Sequence, residues 1–139
     1  MIESAEEFVR LRESGDSADY QRIKREEAPP DVWWTLVRDH PDMRFWVTFN
    51  RTVPQDVLRH LAGDDDWRVR ANIAGRRGAP QDVLDALSRD GHDAVVASVA
   101  SNPGTPTEVL ERLSGHSWED VRTRALEQLA QRAGGTAAR

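Results

Sequence analysis

Three arginines at matching positions are the side chains whose spacing most readily suggests chemistry. Arg44, Arg70 and Arg122 each follow the first residue of a recurring six-residue string. A row of guanidinium groups can bind an acidic peptide or the phosphates of a nucleic acid. The other interpretation is a structural ladder with acidic residues of the preceding turns, Asp39, Asp64 and Asp90. We favour the ladder, whose exposed pairs would contribute about 0 to 1 kcal/mol each, and the anion-binding strip stays open.

No pattern of catalytic or metal-ligating residues is recognisable. The four histidines occupy different positions of the repeat without metal-ligand spacing, and the acidic run at 64–66 lacks the other ligands of a calcium loop. Cysteine is absent, which excludes disulfides, thiolate zinc sites and cysteine-ligated iron–sulfur clusters. There is no nucleophile elbow and no glycine-rich phosphate loop. We predict a protein that is not an enzyme and has no metal or cofactor.

Charge and composition limit the partners. The chain has 139 residues, 19 of them basic and 24 acidic, and a formal net charge of −5. This sign disfavours a general attraction to nucleic acid or anionic lipid. The apolar runs are too short to cross a membrane, and the acidic N-terminal segment is unlike a secretory signal. We expect one globular domain that is soluble and cytoplasmic.

The elements that must position these side chains form an internal repeat. VPQDVLRHL at 53–61, APQDVLDAL at 79–87 and TPTEVLERL at 105–113 recur at a step of 26 residues. PPDVWWTLV at 29–37 is an earlier, degenerate copy. In the regular copies a proline marks the start of a helix, an acid lies in the first turn and apolar residues form one stripe. We call this predicted helix A.

A second string keeps the same step and predicts helix B. It has four copies, MRFWVT from Met43, VRANIA from Val69, VVASVA from Val95 and VRTRAL from Val121. Each copy places two apolar residues four apart on one face. Helix B ends near residues that tolerate the left-handed conformation of a helix exit, Asn50, Gly75 and Asn102. Because helices this short are unstable alone, we expect the pairs to stack on one another.

These helix pairs predict an all-α fold, a short α-solenoid of about four two-helix repeats with an N-terminal helical cap. A capping box of Ser4 and Glu7 begins the cap, and Leu126 and Leu129 are expected to close the opposite end. The predicted segments are a cap at 1–28, repeats at 29–53, 54–79, 80–105 and 106–132, and a flexible tail at 133–139.

The stretch APQDVLDALSRDGHDAVVASVASNPGTPTEVLERL at 79–113 resembles the leucine-rich repeat variant family, a relative of HEAT and armadillo arrays. VASNPGTPTEVLERL at 99–113 and VRANIA at 69–74 carry the resemblance best. The resemblance covers roughly 30–132 and implies a right-handed α/α superhelix. It does not extend to the cysteine-bound iron–sulfur module of the family's namesake, because this chain has no cysteine.

Five tryptophans are many for a chain with one tyrosine. Trp33, Trp34 and Trp46 predict an aromatic cluster near the N-terminal end of the repeats. Core packing is the favoured role for this cluster, and an exposed patch for a partner is the alternative. Trp67 and Trp118 come just before helix B and are expected to lean across the turn.

The leading functional prediction is a non-enzymatic scaffold that binds a partner protein on a concave face formed by helix B, as an adaptor or immunity-type protein would. It would be a monomer or a weak homodimer. The alternative is a nucleic-acid-binding or DNA-repair protein of HEAT type, similar to alkylpurine DNA glycosylases, whose binding to duplex DNA would depend steeply on salt. The predicted contact residues are one column of helix B and the neighbouring arginines: Trp46, Asn72, Ser98, Arg124, Arg44, Arg70 and Arg122.

Overall fold

The described part of the chain is helical without strands, which confirms the all-α prediction. The computed structural model describes residues 1–137, with side chains up to residue 134. None of the helices in this range is both long and apolar enough to span a membrane. Ten α-helices and one 3₁₀ turn at Pro41–Met43 occur there: α1 (Ala5–Glu13), α2 (Ser17–Arg25), α3 (Pro30–Asp39), α4 (Arg44–Val47), α5 (Gln55–Leu61), α6 (Trp67–Ala74), α7 (Gln81–Leu87), α8 (Asp93–Ser101), α9 (Thr107–Leu113) and α10 (Glu119–Ala137).

Helices α5, α7 and α9 correspond to the three regular copies of predicted helix A. Pro54, Pro80 and Pro106 are their N-cap residues, with φ of −61°, −58° and −57° and extended ψ. From the repeat pattern we predict these prolines one residue later, at N1. The fixed φ of the proline ring suits both positions, so the pattern does not distinguish between them. The extended ψ identifies them as N-caps. The apolar stripe of each copy is buried as predicted.

The exits of helix B differ from the prediction. Gly75, at the end of α6, has a φ of −87°. Positive φ among the described residues occurs only at Gly15 and Gly78. The left-handed exits predicted at Asn50, Gly75 and Asn102 are therefore wrong.

The two asparagines at these exits instead use their side chains to join successive turns within one unit of the fold. Both are buried, Asn50 at 0% and Asn102 at 2% exposure. In each case Oδ1 accepts from the main-chain N–H two residues further on, at 2.8 Å. The amide Nδ2 donates to two carbonyl oxygens, those of Ile23 and Glu26 at 2.6 and 2.8 Å for Asn50, and those of Ala74 and Arg76 at 2.8 and 2.9 Å for Asn102. We call each set an asparagine clamp.

The ends of the described chain agree with the prediction only at the N-terminus. Ser4 Oγ accepts from the Glu7 N–H at 3.0 Å, and Phe8 is buried behind this cap. Leu126 is 54% exposed, so the prediction that it closes the opposite end is wrong. Helix α10 continues to Ala137 through the segment predicted as a flexible tail at 133–139, of which 138–139 lie outside the described residues.

The chain divides into two compact units, Met1–Gly63 and Asp64–Arg139. The division lies between α5 and α6, inside the predicted repeat 54–79. In the first unit, α1 contacts both α2 and α3. In the second unit, α8 contacts both α6 and α10, and α10 also contacts α9. The apolar stripes of helices A and B are buried in the folded chain.

Candidate functional site

Arg70, one of the predicted contact residues, is engaged in structural bonds. Its guanidinium makes two hydrogen bonds to the carboxylate of Asp90, at 2.8 and 3.2 Å. It also donates to the carbonyl oxygens of Asp64 and Asp65, at 2.8 and 3.2 Å. The predicted ladder paired Arg70 with the Asp64 carboxylate of the preceding turn, whereas the carboxylate bound here belongs to the following turn. Arg70 therefore joins two turns of the second unit.

The contact between Arg70 and Asp90 shifts the pKa of both side chains. The hydrogen bond to Asp90 raises the pKa of Arg70. Burial acts to raise the pKa of Asp90, but the hydrogen bonds from Arg70 and from the His92 main chain outweigh it, and the pKa of Asp90 is lowered. Both groups therefore carry their charges in the folded state across the neutral range.

The other two arginines of the row also bind main-chain carbonyl groups. Arg122 donates to the carbonyl oxygens of His116 and Ser117, both at 2.9 Å. These are the turn positions that Arg70 contacts two repeats earlier. Arg44 Nε donates to the carbonyl oxygen of Val37 at 2.6 Å, within the first unit. The three arginines share the binding of main-chain carbonyl groups, which reduces the donors that are left for a partner.

The column next to this row has mixed roles. Ser98 Oγ donates to the Ala94 carbonyl of its own helix at 3.0 Å. Arg124 contacts Asp120 at 3.1 Å and Ser101 Oγ at 3.1 Å, so it connects α10 to α8. Asn72 is half-buried in α6. Three members of this column thus belong to the second unit, whereas Trp46 belongs to the first.

Trp46 is the centre of an aromatic cluster in the first unit. Its ring lies 5.1 Å from Phe45, 5.8 Å from Phe49 and 6.4 Å from Tyr20, measured between ring centroids. The guanidinium carbon of Arg12 lies 3.7 Å from the centroid of the same ring, a cation–π contact. All four aromatic residues are half-buried. We call Tyr20, Phe45, Trp46 and Phe49, together with Arg12, the α4 aromatic cluster.

The cluster distinguishes α4 from the other copies of helix B. Phe45, Trp46 and Phe49 occupy positions at which two of the three later copies have smaller side chains, namely Ala71, Asn72 and Gly75 in α6 and Ala97, Ser98 and Ser101 in α8, whereas α10 has Thr123, Arg124 and Glu127. Among the N-terminal tryptophans, Trp33 is core, 1% exposed and 6.0 Å from Phe8. The sequence indicated Trp46, and alignment of the repeat columns would also have indicated Phe45 and Phe49.

A groove on the first unit escaped the sequence-based prediction. It lies between α3 and α5, has a volume of about 410 Å³ and is lined by Trp34, Val37, Arg38, Arg44 and His60. The ring of His60 meets Trp34 edge to face at 5.5 Å and 75°. No carboxylate is among the lining residues that the structure describes. We call it the α3–α5 groove.

The second unit has a smaller groove at the equivalent place, between α7 and α9, with a volume of about 160 Å³. The Asp85 carboxylate lies between two guanidinium groups there, at 2.7 Å from Arg89 and 3.3 Å from Arg112. Two repeats earlier, the corresponding residues are Trp34, Arg38 and His60. We call it the α7–α9 groove, and it is filled by its own ion pairs.

Trp67 and Trp118 are each 40% exposed at the start of α6 and α10. Trp67 leans across the turn as predicted, and its ring stacks on His92 at 4.2 Å and 12°. His92 Nδ1 accepts from the Ala94 N–H at 3.2 Å, and His116 Nδ1 accepts from the Trp118 N–H at 3.0 Å. Among the residues that the structure describes, no group of three or more His, Asp or Glu side chains is arranged to hold a metal ion.

Comparison of the chain with protein-family models, with curated proteins and with solved structures gave no match. The function must therefore be inferred from the surfaces described above.

Proposed function

We propose that the chain is a non-enzymatic protein-interaction module of the α-solenoid type, which binds a partner protein through the α4 aromatic cluster. The observation that carries the proposal is that Phe45, Trp46 and Phe49 occupy positions where no other helix B copy has an aromatic residue, which gives a half-buried aromatic surface. Trp, Tyr and Arg are the residues that dominate the binding energy of protein interfaces. An adaptor or immunity-type role is the functional class that fits such a surface.

The geometry of the cluster supports ready binding. Arg12 and Tyr20, from α1 and α2, hold the Trp46 ring on one side and at its edge. A ring that is already fixed loses little conformational entropy when a partner covers it. The part of the ring that stays exposed then supplies apolar contact area to a partner.

The solenoid part of the proposal rests on the 26-residue step and on helix packing within the second unit. There α6, α8 and α10 begin one repeat apart, and α8 contacts both of the others. The resemblance to leucine-rich repeat variants is consistent with the same architecture. The predicted helix B column of Asn72, Ser98 and Arg124 belongs to the second unit and is not part of the proposed surface, because Ser98 and Arg124 already bond within that unit.

A matched pair of tryptophan variants tests the proposal. The protein and its Trp46→Ala and Trp118→Ala variants are immobilised, and the proteins captured from a lysate of the source organism are quantified by mass spectrometry. Both substitutions remove a partly exposed indole, but only one belongs to the α4 aromatic cluster. We expect specific partners to be lost at least about tenfold with Trp46→Ala, as for a hot-spot residue, and to be kept with Trp118→Ala.

Circular dichroism of both variants checks that each remains folded. Equal recovery of the same proteins by the wild type and Trp46→Ala would rule out the α4 surface. Salt-sensitive binding to duplex DNA that survives Trp46→Ala would instead favour the nucleic-acid class.

A further inference from the structure

The α3–α5 groove combines an apolar wall with basic groups. Trp34 and the buried Val37 supply the apolar surface, and the Trp34 and His60 rings are held at a fixed angle. A volume of about 410 Å³ lies within the range of small binding pockets. The groove therefore suits one or two side chains of a ligand better than a whole folded surface.

The charged residues of the groove favour an anionic group. Arg38 pairs with the adjacent Asp39 at 3.1 Å, and the two side chains are 69% and 52% exposed. Exposed pairs of this kind are weak and exchange readily, so Arg38 can turn to another carboxylate. Arg44 forms a fixed wall, because its Nε is bonded to the Val37 carbonyl.

The α7–α9 groove shows what this position accepts. There, the chain's own Asp85 carboxylate lies between Arg89 and Arg112. In the α3–α5 groove, Arg38 corresponds to Arg89 and His60 to Arg112, but Trp34 replaces the aspartate. The α3–α5 groove thus has no carboxylate among its described lining residues and has gained an aromatic surface.

We infer that the α3–α5 groove binds a short acidic segment of a partner protein, in which an Asp or Glu carboxylate follows an apolar side chain. The carboxylate takes the role that Asp85 has in the second unit, next to Arg38 and His60, and the apolar side chain packs on Trp34. This inference deepens the proposed interaction function, on which it rests, and it adds a second contact surface with its own ligand chemistry.

Capped dipeptides test the inference directly. The probes are acetyl-Leu-Glu-amide, its uncharged match acetyl-Leu-Gln-amide and its polar match acetyl-Ser-Glu-amide, each titrated into the ¹⁵N-labelled protein. The five Trp residues give separate indole N–H signals in principle, and a Trp34→Phe variant assigns that of Trp34. We expect acetyl-Leu-Glu-amide to shift the Trp34 signal and the other two peptides to bind at least about tenfold more weakly, since each lacks one of the two contacts.

Three variants examine the charge and the equivalence of the grooves. Arg38→Gln should weaken binding of acetyl-Leu-Glu-amide about tenfold, because a charge-assisted hydrogen bond is lost, whereas Arg89→Gln should leave it unchanged. The double variant Trp34→Asp with His60→Arg introduces the second-unit pattern and should abolish binding. Thermal unfolding confirms that these proteins are folded, and Arg38→Gln is at an exposed position where folding is not at risk.

The inference is overturned if the Trp34 signal does not move, if the Gln peptide binds as tightly as the Glu peptide, or if Arg89→Gln weakens binding as much as Arg38→Gln. Peptide binding that persists in Trp46→Ala separates the two proposals. The inference about the groove then holds even if the α4 aromatic cluster does not bind a partner. Conversely, failure of the peptide titration would not contradict the proposal for the α4 aromatic cluster.

Discussion

The α3–α5 groove and the α7–α9 groove occupy equivalent positions of two repeats, but only the second is filled by its own charges. Asp85 pairs with both neighbouring arginines, whereas Trp34 leaves the corresponding place open. Both units have buried helix A stripes and an asparagine clamp, although the buried Trp33 stands where the second unit has Leu84. The comparison teaches that the interior columns stay apolar while surface columns change chemical type, so binding surfaces are to be sought where a surface column changes.

The interior half of the comparison predicts large losses of stability in both units. Leu36 and Leu84 are both fully buried. Leu36→Ala and Leu84→Ala should each lower the free energy of unfolding by about 2 to 5 kcal/mol, from lost burial and the cavity that remains. Urea denaturation followed by circular dichroism measures both. A Leu36→Ala protein as stable as the wild type would break the claim that the units share one kind of core.

The asparagine clamps should show the next largest effect. Asn102→Ala leaves two carbonyl oxygens without their donor and should cost about 2 to 3 kcal/mol. Asn50→Ala should cost less, because it frees the Thr52 hydroxyl, which donates to Asn50 Oδ1 at 2.7 Å and lies 3.4 Å from the Glu26 carbonyl oxygen, to donate to that carbonyl instead. The same denaturation experiment ranks them. If Asn50→Ala proves the costlier substitution, the Thr52 bond does not compensate and the two clamps differ in kind.

We expect Asp90 to make a pH-dependent contribution to the stability of the second unit. Because its pKa is lowered in the folded protein, the carboxylate stabilises the fold above its ordinary pKa of about 3.9, and this stability is lost as the pH falls through the lowered value. Asp90→Asn should therefore cost about 1 to 2 kcal/mol at pH 7 and progressively less in acid.

Urea denaturation from pH 7 to pH 3 measures this difference. Asp65→Asn is the matched control, since Asp65 is exposed and its carboxylate has no ion pair among the described residues. A stability difference between the wild type and Asp90→Asn that stays constant down to pH 3 would contradict the assignment.

The ion pairs of the α7–α9 groove should have the smallest effect on stability. Asp85 and Arg112 are 48% and 41% exposed, and such pairs contribute about 0 to 1 kcal/mol. Asp85→Asn should change the unfolding midpoint only slightly, and calorimetry at low and high salt can resolve it. A loss well above 1 kcal/mol would mean that the pair supports the core as well as filling the groove.

The helices themselves were predictable from the sequence because their stripes follow the helical period and because proline marks each helix A start. The helix B exits were not, since an asparagine at a helix end has two uses. Its backbone tolerates the left-handed conformation and its amide can bridge turns, and only the three-dimensional distance between turns decides between them. The partner of Arg70 was missed for a similar reason, because the reach of a long side chain across a turn cannot be read from spacing.

The candidate surfaces were predictable only in part. Trp46 was identified from its column, but Phe45 and Phe49 were not set against the small residues of the later copies. The α3–α5 groove depends on Trp34, which lies in the degenerate copy and was grouped with the core tryptophans. Trp33 and Trp34 are adjacent in sequence, and only their different exposure in the fold separates a core residue from a groove wall.

The asparagine clamps also explain how a repeat of this kind tolerates changes in length. Asn50 reaches carbonyl oxygens 27 and 24 residues earlier, whereas Asn102 reaches carbonyl oxygens 28 and 26 residues earlier. One amide with two hydrogens therefore accepts turns of different shape without losing either bond. The degenerate copy is one residue shorter, and its asparagine clamp still makes both hydrogen bonds. Such a joint would allow gene duplication to lengthen the array, with each new copy free to diverge at its surface.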